Sequence, residues 1–517
     1  MRGTVSRGNV VSTVHFVPSP QQSRLPQTME KKQSVELMEK ASVESPSNDA
    51  NYEIDPEAER KLVRKLDWIL LPLFTLIYVC NFIDRTAIGN GRVAGLEKDL
   101  GMEGYDFNVA MTVFYVFYIV ADIPSNLILK RYGSTWLAIL VIGFGVVALG
   151  SAFVTSYQGL IVTRVFLGLT EGGTLPGLVY ILARYYRRKE LVLRIGIFFG
   201  LSPSLAGAFG GLLASGLLRV KDIGMITRWR KIFLVEGIIT TVIGIILLFT
   251  IPGDPSTTRM LTEEERKLAI ARLDADQAVK NQGRKEKTTL KLVMRSFNLT
   301  TIVCTLCFMM LNLSFQGLSV FLPTIINSLG KFSTIQVQLR TVPPYLVSAL
   351  WSVINAYASF RFQNRFIAII SSVALMVIGY AIAVGTTDPH ARYAACFLMV
   401  AGGGPSGPMF ITWGTENAAP DTMRAVVSAT IPGIGALGAV VSVWTYISTD
   451  APNYYRGNSA NLGTTTATCI MSALLALYLH RENKKRERGE RDHILEGKSQ
   501  EELEQLGCRH PEFRYQL

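Results

Sequence analysis

Beyond residue 60 the chain alternates between apolar blocks of about twenty residues and short polar bursts, a period far longer than that of an amphipathic helix or a strand. Blocks such as Trp136–Val154 and Ile232–Ile251 are each long enough to cross a hydrocarbon core of about 30 Å as one helix. The pattern predicts an all-α membrane protein with twelve transmembrane helices, near 66–86, 107–129, 136–155, 158–180, 193–218, 230–251, 299–322, 336–358, 365–385, 391–413, 424–448 and 461–480. A charged stretch from Pro252 to Phe297 divides them six and six.

The boundaries that follow are a tail at 1–59, a first set of six helices at 60–251, a linker at 252–297, a second set at 298–480 and a second tail at 481–517. Residues 1–59 are rich in Ser, Pro, Gln and charge and lack the apolar core of a signal peptide, which reads as a disordered cytoplasmic tail. In the linker, Thr262 followed by Glu265 gives a capping-box start to a short helix outside the membrane, and a basic run follows at Arg284, Lys285 and Lys287. Lys130, Arg131, Arg184, Arg187, Arg188, Lys189, Arg361 and Arg365 fall on one side with the linker and the basic tail, so both termini are expected in the cytoplasm. One loop disagrees: Arg219, Lys221, Arg228, Arg230 and Lys231 lie on the opposite side.

Composition sharpens this picture. Only 18% of residues are charged, against about 25% in soluble proteins, and 49% are apolar. The net charge of +12 is spread in bursts between the blocks, which fits headgroup contacts and argues against a nucleic-acid partner. Cys80, Cys304, Cys307, Cys396 and Cys469 fall inside spans, so no disulfide framework is expected, and the Cys304/Cys307 pair lacks the further ligands a metal site needs. No nucleophile motif, phosphate loop or metal cluster suggests an enzyme.

The candidate chemistry lies in the membrane, where a charge at the centre costs about 2.5–3.5 kcal/mol and usually faces a cavity. Asp84 and Arg85 end the first span, Asp122 is in the second, Arg164 and Glu171 are in the fourth, and Glu236 is in the sixth. Arg164 and Glu171 share a helix face about 10 Å apart along the axis, either lining one cavity or forming a structural ion pair. Gly168, Gly172 and Gly173 on that helix would let a neighbour approach closely, and Gly207, Gly211 and Ser215 form a packing stripe in the fifth span. Span ten carries Gly402-Gly-Gly-Pro405-Ser-Gly407-Pro408, whose breakers are expected to interrupt a straight helix and free carbonyls, as a kink or as part of a pathway. No histidine sits mid-span, so proton transfer within the membrane would rest on carboxylates.

The segments Asp84-Arg-Thr-Ala-Ile-Gly-Asn90, Ile123-Pro-Ser-Asn126 and Arg164-Val-Phe-Leu-Gly-Leu-Thr-Glu-Gly172, with Trp413, Asn417 and Arg424, together resemble the anion:cation symporter family of the major facilitator superfamily. Asp450-Ala-Pro-Asn-Tyr-Tyr-Arg-Gly457 and His510-Pro-Glu-Phe-Arg-Tyr-Gln-Leu517 are similar to its fungal allantoate and nicotinic acid permease branch. The resemblance implies two six-helix bundles rocking about a central site and import of a small organic anion, a carboxylate, with protons. It implies no cofactor, only a proton gradient as energy source, and a monomer in the plasma membrane. It assigns proton coupling to Asp84 and Glu171 and substrate binding to Arg85, Tyr118, Arg164, Trp413 and Asn417, with Arg164 partnering Glu171.

The loop after span two departs from the family pattern, with Asn126 and Lys130 where Gly and Asp are usual, and span eleven has Ala436 where the family carries Asn. Two other readings remain: an exporter of a secondary metabolite, whose Gly-Pro-x-x-Gly-Gly signature is matched at Ala206–Gly211 without the proline, and a transporter-like nutrient sensor.

Overall fold

The computed structural model describes residues 55–222, 224–281, 290–495, 497 and 506–517. The expected disordered tail, apart from its last residues, and the basic run at 284–287 lie outside the described residues.

Side-chain caps mark where the chain enters its helices. Asp55 accepts from the N–H groups of Glu57 and Ala58 ahead of the first span, Pro56–Val93, with Pro56 at the one helical position that has no use for an N–H. Ser156, Asn298, Ser333, Asn364 and Asp388 cap the fourth, seventh, eighth, ninth and tenth in the same way. Eleven helices among the described residues are long and apolar enough to cross a membrane. The expected eighth span does form, as Thr334–Phe362, but Pro343, Pro344, Gln338, Ser348, Ser352 and Asn355 make it the least apolar of the set, and several of these face other helices. No β-strand occurs among the described residues.

Two spans are interrupted. The fourth consists of Tyr157–Glu171 and Thr174–Ala183, broken at Gly172–Gly173 immediately after Glu171. The eleventh consists of Asp421–Gly435 and Leu437–Ser442 and ends earlier than the apolar block does. The tenth, by contrast, runs as one continuous helix from Pro389 to Glu416, with Pro405 and Pro408 inside it. Its glycines serve close packing: a Cβ at Gly402 would stand 2.3 Å from the Ser372 carbonyl oxygen, and one at Gly403 would stand 2.0 Å from the Phe315 ring. Hydroxyls of Ser348 and Ser406 donate to the Val400 and Gly402 carbonyls, neighbours of the Ala401 and Gly404 carbonyls that Pro405 and Pro408 leave without a helical donor.

The first six spans pack among themselves, as do the last six, and spans one, two and five meet spans seven, eight, ten and eleven across the middle. Ser204 and Ser348 share a hydroxyl hydrogen bond of 2.8 Å at the middle of spans five and eight, and further polar joints of that interface lie at the end away from the described termini. There Gln338 Nε2 donates to Asn90 O (3.2 Å), Asn108 Nδ2 to Val443 O, and Trp444 Nε1 to Thr112 Oγ1 (3.0 Å). Arg92 lies over Phe107 and Phe321, with centroid distances of 4.4 and 5.3 Å. At the terminal end the ion pairs are internal to each half: Lys65–Glu265, Arg194–Asp67 and Arg272 with Glu59 and Glu190 in the first, Arg365–Glu416 in the second.

The discordant basic loop has a local explanation. Lys231 pairs with Asp222 at 2.7 Å, and Arg230 donates to the Val154 carbonyl and lies 3.7 Å from Asp99, so these cations are neutralised where they stand. The linker capping box forms as read: Glu265 N–H donates to Thr262 Oγ1 and Thr262 N–H to Glu265 Oε2, opening the helix Glu263–Asn281.

The crossing of spans two and four depends on glycine, because a Cβ at Gly168 would stand 2.5 Å from the Phe114 carbonyl oxygen and one at Gly172 would stand 2.3 Å from that of Tyr118. Gly172→Val should therefore force the helices apart and destabilise the fold by about 1–3 kcal/mol. The check is the melting temperature of purified protein in detergent; an unchanged value would show that the crossing tolerates bulk.

Candidate functional site

Four helices of the first half converge on a buried polar cluster. The first span contributes Asn81, Asp84 and Arg85, the second Tyr115 and Tyr118, the fourth Arg164 and Glu171, and the sixth Phe233 and Glu236. Asn81, Asp84 and Arg85 are spaced three to four residues apart, so one face of the first helix carries them all.

At its centre Arg85 Nε meets Glu171 Oε2 at 2.9 Å, with the two side chains 5% and 0% exposed. Aromatic rings wall the guanidinium: Tyr118 lies 4.4 Å away, Phe82 5.1 Å and Phe114 5.7 Å, each presenting π density to the cation. Tyr118 thus reaches the site as the face under Arg85. Arg164 is buried with its guanidinium 5.6 Å from the Phe233 ring.

Most of the polar atoms around this pair have no hydrogen-bond partner among the described residues. They include both oxygens of Asp84 and of Glu236, Oε1 of Glu171, Nη2 of Arg85, Nε and Nη2 of Arg164, the amide of Asn81 and the hydroxyl of Tyr115. A folded interior satisfies about nine in ten such groups, so their concentration in one place is a feature of the site rather than of the core at large. Two guanidinium groups and three carboxyl groups packed together can bind an anion, hold a proton, or exchange one for the other.

The pairing differs from that implied by sequence. The resemblance gives Glu171 to Arg164 and the substrate to Arg85, yet Arg85 takes Glu171 and Arg164 keeps two unpartnered nitrogens. The reason is geometric: seven residues along one helix separate Arg164 and Glu171 by about 10 Å, whereas Arg85 arrives from the neighbouring helix level with Glu171.

Trp413 and Asn417 stand elsewhere. Trp413 Nε1 and Asn417 Nδ2 each donate to the Gln516 carbonyl at 3.0 Å, and the Gln516 N–H donates back to Asn417 Oδ1 at 2.8 Å. They hold the carboxy-terminal segment, and the structure does not bring them into the Arg85 cluster. Conversely, Asn81, Tyr115 and Glu236 belong to the cluster without having been given a role from sequence. Asn81 and Tyr115 each lie one helical turn before a named residue, Asp84 and Tyr118, and that spacing was the available signal. Cys304 and Cys307 are buried free thiols, and no group of three His, Cys, Asp or Glu side chains suited to a metal ion occurs among the described residues.

The Major Facilitator Superfamily profile matches residues 74–443. The chain belongs to the major facilitator superfamily. Among its relatives in that superfamily, an uncharacterized transporter of Schizosaccharomyces pombe is 32% identical over 443 residues, covering 84% of this chain and 86% of that protein. The MFS-type transporter efuF of Hormonema carpetanum is 32% identical over 407 residues, covering 77% and 81%. The major facilitator-type transporter hxnP of Emericella nidulans is 27% identical over 483 residues, covering 92% and 96%. Among solved structures, the superfamily's proton:xylose symporter XylE bound to a bromo-deoxyglucose aligns with a TM-score of 0.63 at 17% identity, over 80% of this chain and 95% of that one, which shows the shared fold. The cluster is therefore set inside one half of a major facilitator transporter, a multi-pass membrane protein and not an enzyme.

The two readings of Asn417 can be separated. If it clamps the carboxy-terminal segment, Asn417→Ala should speed amide exchange at Tyr515 and Gln516 by about tenfold, since it removes hydrogen bonds of about 1 kcal/mol each, and should leave substrate affinity unchanged. Hydrogen exchange by mass spectrometry alongside transport kinetics checks this; a raised KM with unchanged exchange would return Asn417 to the substrate pathway.

Proposed function

We propose that this transporter imports a small organic anion, a carboxylate, together with protons, as the resemblance to the anion:cation symporter family implies. The observation that carries the reading is the buried Arg85–Glu171 pair set among unpartnered atoms of Asp84, Arg164 and Glu236. A buried guanidinium is held more stably with an anionic partner, because one left alone costs several kcal/mol. Glu171 is that partner in this structure, and a substrate carboxylate can replace it once Glu171 takes a proton. Arg164 offers two further unpartnered donors, about 10 Å along the helix from Glu171. One proton and one monoanion together add no net charge to the cluster, so a low-dielectric site admits the two jointly far more readily than either alone.

On this reading Asp84 and Glu171 carry protons, Arg85 and Arg164 bind the anion, and Tyr118 holds the Arg85 plane in position. With both termini in the cytoplasm of the plasma membrane, the joined end of the two halves faces outward. The state described is then closed to the outside, as a carrier is after import or before export.

Glu171→Gln mimics the protonated partner permanently. It should spare exchange of external for internal substrate, which never uses the empty carrier, and abolish net accumulation together with its dependence on external pH. Both fluxes, measured per molecule of surface protein with a panel of labelled carboxylates at two pH values, check this. Intact pH-driven accumulation would remove Glu171 from coupling, and pH-driven efflux in the unaltered protein would assign export instead.

Arg85→Lys keeps the charge but loses the planar fork that meets a carboxylate bidentately. Substrate affinity should fall by about tenfold or more while the protein still reaches the membrane. Unchanged KM in the Lys variant would mean that Arg85 does not contact the substrate.

A further inference from the structure

A second polar cavity lies in the other half of the molecule, at the terminal end and far along the chain from the Arg85 cluster. Its volume is about 380 Å³, within the range of roughly 300–1,000 Å³ typical of small-ligand sites. The start of span seven, the start of span eleven, the end of span twelve and the carboxy-terminal segment form its walls. Four arginines line it, Arg295, Arg486, Arg491 and Arg509, against a single acid, Glu482.

Three of these arginines already have partners, Arg295 among them, whose Nη2 donates to the Leu506 carbonyl. Arg491 forms a bidentate pair with Glu482 at 2.7 and 3.0 Å, and Arg486 binds the carbonyls of Cys508, His510 and Phe513. Arg486 nevertheless keeps Nε without a hydrogen-bond partner and is nearly buried. Arg509 is exposed at the cavity, and its guanidinium has no partner among the described residues. Burial and the neighbouring Arg509 charge both push Arg295 below the usual arginine range, so two like charges are held together on one wall. Asn298, Leu299 and Thr300 also line the cavity, and they form the start of the 30-residue helix Leu299–Ser328. Asn298 Oδ1 already accepts from the Thr301 N–H, and the N–H groups ahead of it have no acceptor within the helix and favour an anion.

The mouth is mixed in character. Leu299 and Tyr478 line the same cavity and are half-exposed, on helices that enter the membrane at this level. An arginine-rich pocket with apolar flanks at the membrane boundary suits an anion that is covalently attached to hydrocarbon. Arginine recognises phosphate through its planar fork, and the cluster retains a positive excess after Glu482 is counted.

We propose that this cavity binds the phosphate-bearing headgroup of an anionic membrane lipid, held by Arg295, Arg509 and the first turn of span seven. The occupied site would link the carboxy-terminal segment to spans seven, eleven and twelve, and so couple the lipid to the half of the transporter that Arg85 does not belong to.

The test uses purified full-length protein. A short-chain phosphatidylinositol phosphate, soluble inositol bisphosphate, inorganic phosphate and a short-chain phosphatidylcholine are titrated separately, with binding read by thermophoresis. The phosphoinositide should bind tightest. Arg509→Glu should weaken it by about tenfold or more with an unchanged melting temperature, since the side chain is exposed, and Arg509→Lys should recover part of the loss. Phosphoinositide binding no tighter than phosphatidylcholine, or equal in Arg509→Glu, overturns the site. Soluble inositol bisphosphate or inorganic phosphate binding as tightly as the lipid overturns the lipid assignment and points to a free phosphate.

Discussion

The contact on which the rest depends is the buried ion pair between Arg85 and Glu171. Removing one member of such a pair costs about 3–5 kcal/mol, because the survivor remains charged and out of water. The surrounding architecture keeps that survivor from arising by accident. Glycines at 168 and 172 bring span two against span four, and this draws Phe114 and Tyr118 up to the guanidinium. The break in span four comes directly after Glu171, which frees the carboxylate from the regular stack of its own helix. On the proposed function, the pair exchanges one anion for another, and a structural necessity becomes usable for transport.

The two ends of the molecule are built for different duties. At the far end the halves are joined by single side-chain hydrogen bonds, such as Gln338 to Asn90 and Trp444 to Thr112, and by Arg92 stacked between Phe107 and Phe321. Each is worth about 1 kcal/mol net, so the joint can open in parts for a total comparable to the differential binding energy of a substrate. No joint of this kind needs a buried unpaired charge in its open form except at Arg92, which also meets Glu97 at 2.8 Å and keeps a partner.

Much of the fold was legible because lipid imposes an absolute requirement on length and apolarity, so twelve blocks could be counted directly. The eighth helix shows the limit: its polar residues are legible as weakness in the block, but only packing explains why they are tolerated. The site's charged residues were legible for the same reason, since each is expensive. Their partners were not. Which carboxylate Arg85 meets depends on the relative height and rotation of two helices, and spacing along one chain says nothing of either. The glycine–proline run of span ten stays helical where its glycines pack against the close faces of spans seven and nine, a contact that its own sequence does not encode. Trp413 and Asn417 carry the family pattern, yet their polar atoms serve a segment a hundred residues away, a relation that no local pattern encodes.

At the terminal end each half carries its own brace. In the first, the linker helix reaches back through Arg272 to Glu59 and Glu190 and through Glu265 to Lys65, fastening spans one and five. In the second, the carboxy-terminal segment accepts from Arg365, Trp413 and Asn417 and from Asn483 and Arg486, fastening spans nine, ten and twelve. Each brace ties helices within a half and leaves the opposite half alone. Rocking of one half against the other therefore disturbs neither set of bonds, whereas any motion that splayed a single half would break several together.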